Sequence, residues 1–418
     1  MRDASRRAGG PDELPDAGPT TREELSRART ALAQGRSLDR ALAGAAGPTT
    51  GAGGLARLQT SVHAEVEGAG EVLQPLIESP EVTDVLVTGA TVWIDRGRGL
   101  EPAPGPGLRE PEVRALAVRM AAACGRRLDD ASPVVDATLP DGTRLNAVLP
   151  PLSADGTLIC LRTSRRRAFT LAELVEAGTL TPGLAQVLAA LVRRRASCLL
   201  SGATGTGKTT LLAALLSLVP HDERIVCIEE ASELRPDHPH VVHLQERGDN
   251  VQGVGAVSMS SLVRTALRMR PDRIVLGECR GAEVREVLTA LNTGHEGGWA
   301  TLHANSPADV PARLTALGAL AGMGEATVTA QAASALDAVV HLRREPDGAG
   351  GSRRTVGSLG VLRREGDRLQ CDDALVRDRD GRLRAGPGVG RLEARIGQEP
   401  LGAALADASA VGCRVRSG

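Results

Sequence analysis

Residues 201–210 read SGATGTGKTT, and their reading decides the fold. Gly202, Gly207, Lys208 and Thr209 occupy the fixed positions of the pattern GxxxxGK[ST], with Ala203, Thr204, Gly205 and Thr206 between them. The apolar run SCLLSG leads in, and TTLLAALLSLV, from Thr209 and Thr210 onward, leads out. A buried strand that turns through glycines into a helix is the setting in which this pattern wraps a phosphate. The glycines let the backbone close on the anion without Cβ clashes, and the N–H groups and helix N-terminus favour negative charge. On this reading residues 202–210 bind ATP: Lys208 reaches the β- and γ-phosphates and Thr209 takes Mg²⁺. The bland alternative, a glycine-rich turn with a chance Lys-Thr, gives no reason for the strand and helix on either side.

Lys208 is also the only lysine in the 418 residues; every other member of the 50 Lys+Arg is arginine. The bias looks like a GC-rich coding sequence. Lysine is a compact point charge on a thin stem, whereas arginine is a wide planar fork. A phosphate cradle has room for the ammonium and little for the guanidinium, so composition yields at this one position.

Outward from this stretch, strands and helices alternate: RIVCIEE, SLVRTALRM, RIVLGE, AEVREVLTALN, WATLHA and ADVPARLTALGAL. Continuous apolar strands separated by helices predict a mostly parallel sheet covered on both faces. The expected fold class is therefore α/β, with this core over residues 183–344. Residues 165–182 read as a linker with a short helix. Before it, residues 55–164 carry helical patterns, two hairpins (VTDVLVTGATVWIDRG and VDATLPDGTRLNAVLPPLS) and the strand LICLRTS, a small α+β domain. Residues 1–54, rich in Gly, Pro, Ala and charge, read as a disordered leader with room for one helix near TREELSRARTALAQ. Residues 345–418 read as a C-terminal extension of short strands.

The bulk numbers exclude several classes. Net charge is −1 and the aromatics are Phe169, Trp93 and Trp299 alone, which weighs against a nucleic-acid partner that is gripped by field or by base stacking. The seven cysteines form no CxxC pair and suit reduced thiols in a cytoplasm. The start shows no apolar signal segment, and the longest apolar runs are too short to span a bilayer.

Three further stretches carry chemistry. RIVLGECRG, residues 273–281, is a buried-strand pattern ending in Glu278. The second acidic strand of a P-loop enzyme places Mg²⁺ and the attacking water. The usual Asp-Glu ending is here Gly277-Glu278, so Glu278 alone would orient or deprotonate that water. RIVCIEEASELR offers Glu229, Glu230 and Glu233 at the end of another strand, where side chains face the nucleotide crevice. NTGHEGGWATLHANSP, residues 292–307, carries His295 and His303; two histidines among Gly and Thr suggest a polar network beside the γ-phosphate, for sensing rather than proton transfer.

GATGTGKTT, IEEASEL, RPDRIVLGECRGAE and NTGHEGGWATLHANSP stand in the order of the Walker A, Asp, Walker B and His boxes of the type II/type IV secretion ATPases. The chain resembles the TadA-like branch, which powers Flp/Tad pili and whose actinobacterial members are often labelled conjugal-transfer-associated. The resemblance covers residues 73–342, and LPDGTRLNAVLPPLS falls within it. It implies a RecA-like P-loop core with a preceding α+β domain, a homo-hexameric ring, ATP at the crevice between domains, and work at the cytoplasmic face of the inner membrane against polytopic platform proteins. It makes Glu278 the Walker B acid, Glu229 an Asp-box acid and a Mg²⁺ ligand through water, and His295 and His303 the His-box pair. The Asp box commonly reads Glu-Asp, whereas here it is Glu229-Glu230. The family also uses arginines of the first domain against phosphates, sometimes from a neighbouring subunit, and Arg144 and Arg162 match such positions. Arg268, Arg270 and Arg280 lie near Walker B and could serve a subunit interface; a solvated surface role is the alternative for each. The competing function is a nucleic-acid translocase or conjugal-transfer ATPase on the same core.

Overall fold

The computed structural model describes residues 22–47, 50–66, 68–97, 99–103, 107–163, 167–248, 254–346, 352–378 and 380–410. The chain divides into two compact units, Met1–Ser164 and Arg165–Gly418.

The first unit runs α1 (Arg22–Ala33), α2 (Leu38–Ala45), α3 (Ala52–Val66), α4 (Gly70–Glu78), β1 (Asp84–Thr88), β2 (Thr91–Asp95), β3 (Leu100–Pro102), α5 (Glu110–Ala123), β4 (Val134–Thr138), β5 (Arg144–Val148) and β6 (Leu158–Arg162). The six strands pair antiparallel in the order β3-β2-β1-β6-β5-β4. Alternation puts Val85, Val87, Ile94, Leu145, Ala147, Ile159 and Leu161 on one face, where they bury against Leu73 and Ile77 of α4 and Val113, Leu116 and Met120 of α5. Both expected hairpins form. In the second, the Asp141 carboxylate accepts the Thr143 N–H at 2.9 Å and its hydroxyl at 3.0 Å.

The expected leader over residues 1–54 does not hold for its described part. α1 matches the one helix foreseen, α2 is a second, and α3 begins before residue 55. Ala28, Leu42 and Ala45 pack on Leu58 and Val62 of α3. Composition rich in Gly and Ala reads as disorder, but alanine also lets helices approach closely and has the best helix propensity. Residues 1–21 lie outside the described residues.

The second unit runs α6 (Leu171–Glu176), α7 (Pro182–Arg193), β7 (Cys198–Ser201), α8 (Lys208–Leu216), β8 (Ile225–Glu229), β9 (Val241–Gln245), α9 (Met259–Ala266), β10 (Arg273–Leu276), α10 (Val284–Asn292), β11 (Trp299–Leu302), α11 (Val310–Leu320), α12 (Glu325–Ala335), β12 (Ala338–Pro346), β13 (Ser352–Glu365), β14 (Arg368–Arg377), β15 (Leu383–Ala385), α13 (Val389–Ile396) and α14 (Gln398–Ala410). Thr170 and Thr181 cap α6 and α7 by accepting the Glu173 and Leu184 N–H groups. The strands form one sheet, β15-β14-β13-β12-β7-β11-β10-β8-β9. It is parallel from β12 to β9 and antiparallel from β12 to β15. All residues of β7, β8, β10 and β11 are buried, and apolar clusters lie on both faces, as continuous apolar strands require.

The boundary expected at 344 cuts through β12, and the described part of residues 345–418 is no appended extension. β13 has 14 residues and β14 has 10, and both continue the sheet that carries residues 201–210. Val356, Leu359, Ala374, Leu375 and Leu392 share one cluster with Leu200 and Leu212. The buried run in the middle of β13 is flanked and interrupted by Arg, Ser and Gly, and β14 carries Asp and Arg, which lower the strand signal.

Candidate nucleotide site

Four strand ends converge on the site, and the sheet order sets the order of its side chains. β7 leads to Lys208, β11 to His303, β10 to Glu278 and β8 to Glu229 and Glu230; these strands are neighbours in that sequence. Crevices of this kind form beyond the C-terminal ends of parallel strands.

Within residues 202–207 the turn needs glycine. Gly207 caps α8 at φ 94°, and a Cβ on Gly202 would stand 2.5 Å from the Leu342 carbonyl oxygen of β12. Lys208 is buried and donates to the carbonyls of Gly202 (2.9 Å) and Ala203 (3.0 Å), with its third donor 3.5 Å from His303 Nδ1. Burial lowers the ammonium's pKa and Glu278 opposes the shift. Thr206 caps the loop by donating to Ala203 O at 2.9 Å. Ala203, Thr204 and Gly205 are exposed, and Thr209 and Thr210 half-buried, at the start of α8.

His303 Nε2 lies 2.9 Å from Glu278 Oε1. Its burial, and next the Lys208 charge, lower its pKa, so the neutral ring accepts from Lys208 at Nδ1 and donates to Glu278 at Nε2. Arg280 grips the same carboxylate in a fork, Nε to Oε1 at 2.6 Å and Nη2 to Oε2 at 2.8 Å, and its Nη1 reaches Glu230 Oε2. The bond to Glu278 is the main cause that raises the Arg280 pKa. A bidentate guanidinium fixes both the position and the plane of a carboxylate. Lys208, His303, Glu278, Arg280 and Glu230 thus form one line across the strand ends.

Glu229 is placed differently from Glu278. It is buried, and its Oε1 accepts the N–H groups of Glu233 and Leu234 at 2.9 Å each. Oε2 stands 3.5 Å from His243 Nδ1 on β9 and has no hydrogen bond. One oxygen therefore holds the loop after β8, and the other is buried with its lone pairs unused.

His295 is not brought into the site. It precedes β11, whereas His303 follows it, and the four residues of the strand stand between them. At about 3.3 Å per strand residue the two histidines lie at opposite ends of β11, and only His303 stands beside Lys208. Arg144 and Arg162 belong to the first unit, where they face each other across β5 and β6 and Arg162 Nε pairs with Asp84 at 3.0 Å. Among the arginines near Walker B, Arg280 joins the line.

Sequence reading missed His243, His341 and two arginines of the C-terminal strands. Arg344 and Arg354 are direct cross-strand partners on β12 and β13. A Cβ on Gly207 would lie 3.4 Å from Arg354 Cδ, and one on Gly205 3.9 Å from Arg344 Nη1. No local motif marks them; only the sheet order carries them to residues 202–207.

Comparisons with known proteins identify the family. The model of the family described as "Type II/IV secretion system protein" matches residues 72–384. A protein of Mycobacterium tuberculosis (strain H37Rv), provisionally named for conjugal transfer, is 48% identical over 332 residues, 78% of this chain and 93% of that protein. The type IV secretion system protein PtlH of Bordetella pertussis is 33% identical over 326 residues, 70% of this chain and 94% of PtlH. Among solved structures, the pilus retraction motor PilT with bound ADP shares the fold at a TM-score of 0.51 and 22% identity, covering 69% of this chain and 81% of PilT. With its lysine-bearing phosphate loop and strand-end acid, the chain is a nucleotide-binding ATPase, and it belongs to the type II/IV secretion system protein family.

Proposed function

We propose that the chain is an ATP-hydrolysing motor that works as a homo-hexamer and energises pilus assembly or secretion, pushing on polytopic membrane platform proteins from the cytoplasmic face of the inner membrane. The observation that carries this reading is the unbroken line from Lys208 to Glu230, which ties the phosphate loop to the ends of three neighbouring strands. Lys208 meets the β- and γ-phosphates. Glu278 orients the attacking water and takes its proton, while Arg280 and His303 hold the carboxylate in place. His303, touching both Lys208 and Glu278, registers the γ-phosphate and passes its loss to the loop after β11. Thr209, Glu278 and Glu229 Oε2 are hard oxygen donors that fit Mg²⁺, and the buried Oε2 without a hydrogen bond supports that fit. Bound there, Mg²⁺ would neutralise charge on the β- and γ-phosphates. No helix among the described residues is long and apolar enough to cross a membrane.

The test is assembly-dependent activity. ATPase rate per protomer should rise with protein concentration, and an Arg162→Ala protein mixed with a Lys208→Ala protein should regain activity if Arg162 reaches a neighbour's site. In-trans arginines are worth about 10³-fold or more. A monomeric mass at every concentration, with and without ATP, would refute the ring. A second reading, a conjugal-transfer ATPase, is favoured by the name of the M. tuberculosis relative. DNA-stimulated hydrolysis would select it.

A further inference from the structure

His341 is a histidine among apolar neighbours. It lies on β12 in AVVHL, is buried, and stands in register with Ser201, the last residue of β7. Its Nδ1 is 2.9 Å from Ser201 Oγ. The ring also faces the backbone carbonyl of Asn305, which favours a proton on the ring, while burial has the larger effect and lowers its pKa. The proton therefore sits on the nitrogen facing Asn305, and Nδ1 accepts from the Ser201 hydroxyl. A β-bulge follows at once between His341 and Leu342, and it is the Leu342 carbonyl that packs on Gly202.

β7 lies between β12 and β11 in the sheet. The His341 ring thus reaches past the end of β7 to the loop that follows β11, two residues beyond His303. A closed circuit results. Ser201 bonds His341, and the His341 ring faces the Asn305 carbonyl, just before the Pro307–Asp309 turn that packs on β12. His303 contacts Lys208 at 3.5 Å, and Lys208 bonds Gly202 O at 2.9 Å, next to Ser201. A buried polar pair is costly unless both ends are satisfied, and when satisfied it fixes one arrangement. A leucine at 341 with alanine at 201 would fill the same space without that cost.

We propose that His341 is a positioning residue: it braces the start of the phosphate loop against the loop bearing His303, and so sets the distance across which His303 reads Lys208 and the γ-phosphate. This rests on the reading of His303 and Lys208 given above. The brace acts on turnover and leaves the phosphate cradle itself intact.

The experiment compares His341→Leu, Ser201→Ala and the double variant, each with His303 present and in a His303→Ala background. Melting temperature, kcat and the Kd of a fluorescent ADP analogue are measured for each. His341→Leu alone should lower the melting temperature, because Ser201 Oγ is left buried without a partner. It should also lower kcat by roughly tenfold or more, as small misplacements at a reacting centre do. The double variant should regain the melting temperature and bind the ADP analogue within about threefold of wild type, while kcat stays low. In the His303→Ala background the double variant should cost nothing further, since effects of coupled residues do not add. The proposal is overturned if kcat returns together with melting temperature, if the losses add to that of His303→Ala, or if His303→Ala turns over at the wild-type rate. Lys208→Ala separates the two levels: continued hydrolysis there would sink the nucleotide site itself, whereas its loss leaves the brace to be judged on the other variants.

Discussion

Gly277 and Glu229 share one space: a Cβ on Gly277 would stand 2.8 Å from Glu229 Cγ and 3.4 Å from its Cβ. The glycine before Glu278 is thus a packing requirement set by the neighbouring strand. Gly277 N–H donates to Ile228 O at 2.8 Å, so β10 and β8 are held together at this level and cannot spread to admit a side chain. An acid buried at 229 and an acid at 277 exclude each other.

It follows that Gly277→Asp, which would restore the usual Asp-Glu ending, should destabilise the second unit by about 1–3 kcal/mol through overpacking. The new carboxylate beside Glu229 adds like-charge repulsion in a buried setting. Gly277→Asp with Glu229→Ala should recover part of the loss, because the space is then free. Urea unfolding of the three proteins checks this, and equal stability of Gly277→Asp and wild type would refute the shared-space argument.

Glu278→Gln keeps the shape of the side chain and removes its basicity. Nucleotide should still bind, since Lys208 and the glycines are untouched, while kcat falls at least ~100-fold, as for loss of a general base. Arg280→Ala removes the fork without removing the base. Its kcat should fall less, by about tenfold, because only orientation is lost. Single-turnover phosphate release beside ADP-analogue binding distinguishes the two; a Glu278→Gln enzyme within a few-fold of wild type moves the base elsewhere.

Much of this site was legible in the sequence, and its limits have one cause. Lys208, Glu278 and His303 each follow an apolar strand within a contiguous motif, so spacing alone predicted them at strand ends. His295 shares a motif with His303 and was paired with it, but four residues of β11 separate them; proximity along a strand is distance in space. His341 lies 140 residues from Ser201 along the chain, with Arg344 and Arg354 farther still, and only the placement of β12 beside β7 brings them near. The fork from Arg280 to Glu278 and Glu230 likewise needs the β10–β8 pairing. The α2 helix and the start of α3 are hidden by composition, because alanine that packs and alanine in a disordered segment look alike.

Acid should weaken the fold in a defined window. Burial lowers the pKa of His341, with Arg343 and Lys208 acting in the same direction and the Asn305 carbonyl and Asp309 opposing. A histidine held neutral in the fold takes up its proton more readily when unfolded. Stability from this group is therefore complete above the ordinary value of 6.5 and is lost as pH falls from there through the depressed folded value. One such proton is worth at most about 1.4 kcal/mol per pH unit. Urea unfolding at a series of pH values should show a shallower acid decline for the Ser201→Ala/His341→Leu protein than for wild type. Parallel declines would place the titrating group elsewhere.

The lone lysine gives a labelling test that most proteins of this length do not permit. Amine-directed chemistry has two targets in the chain, Lys208 and the N-terminal amine. An ATP-based acylating probe should therefore mark one internal peptide, and excess ATP with Mg²⁺ should protect it, because phosphates would cover an ammonium that otherwise bonds Gly202 O and Ala203 O. Lys208→Arg preserves the charge. If charge alone mattered, activity would survive. The guanidinium, however, is a planar fork wider than the ammonium, and Lys208 is buried with His303 at 3.5 Å on one side and two loop carbonyls on the other. The arginine variant should keep its melting temperature to within a few degrees, since the loop faces solvent at Ala203, Thr204 and Gly205, and should lose ATPase activity by about 100-fold or more. Peptide mass mapping, thermal melting and phosphate release are the three readouts. A label indifferent to ATP would undo the phosphate-loop assignment, and an arginine variant that turns over near the wild-type rate would undo the steric account of why this position alone kept its lysine.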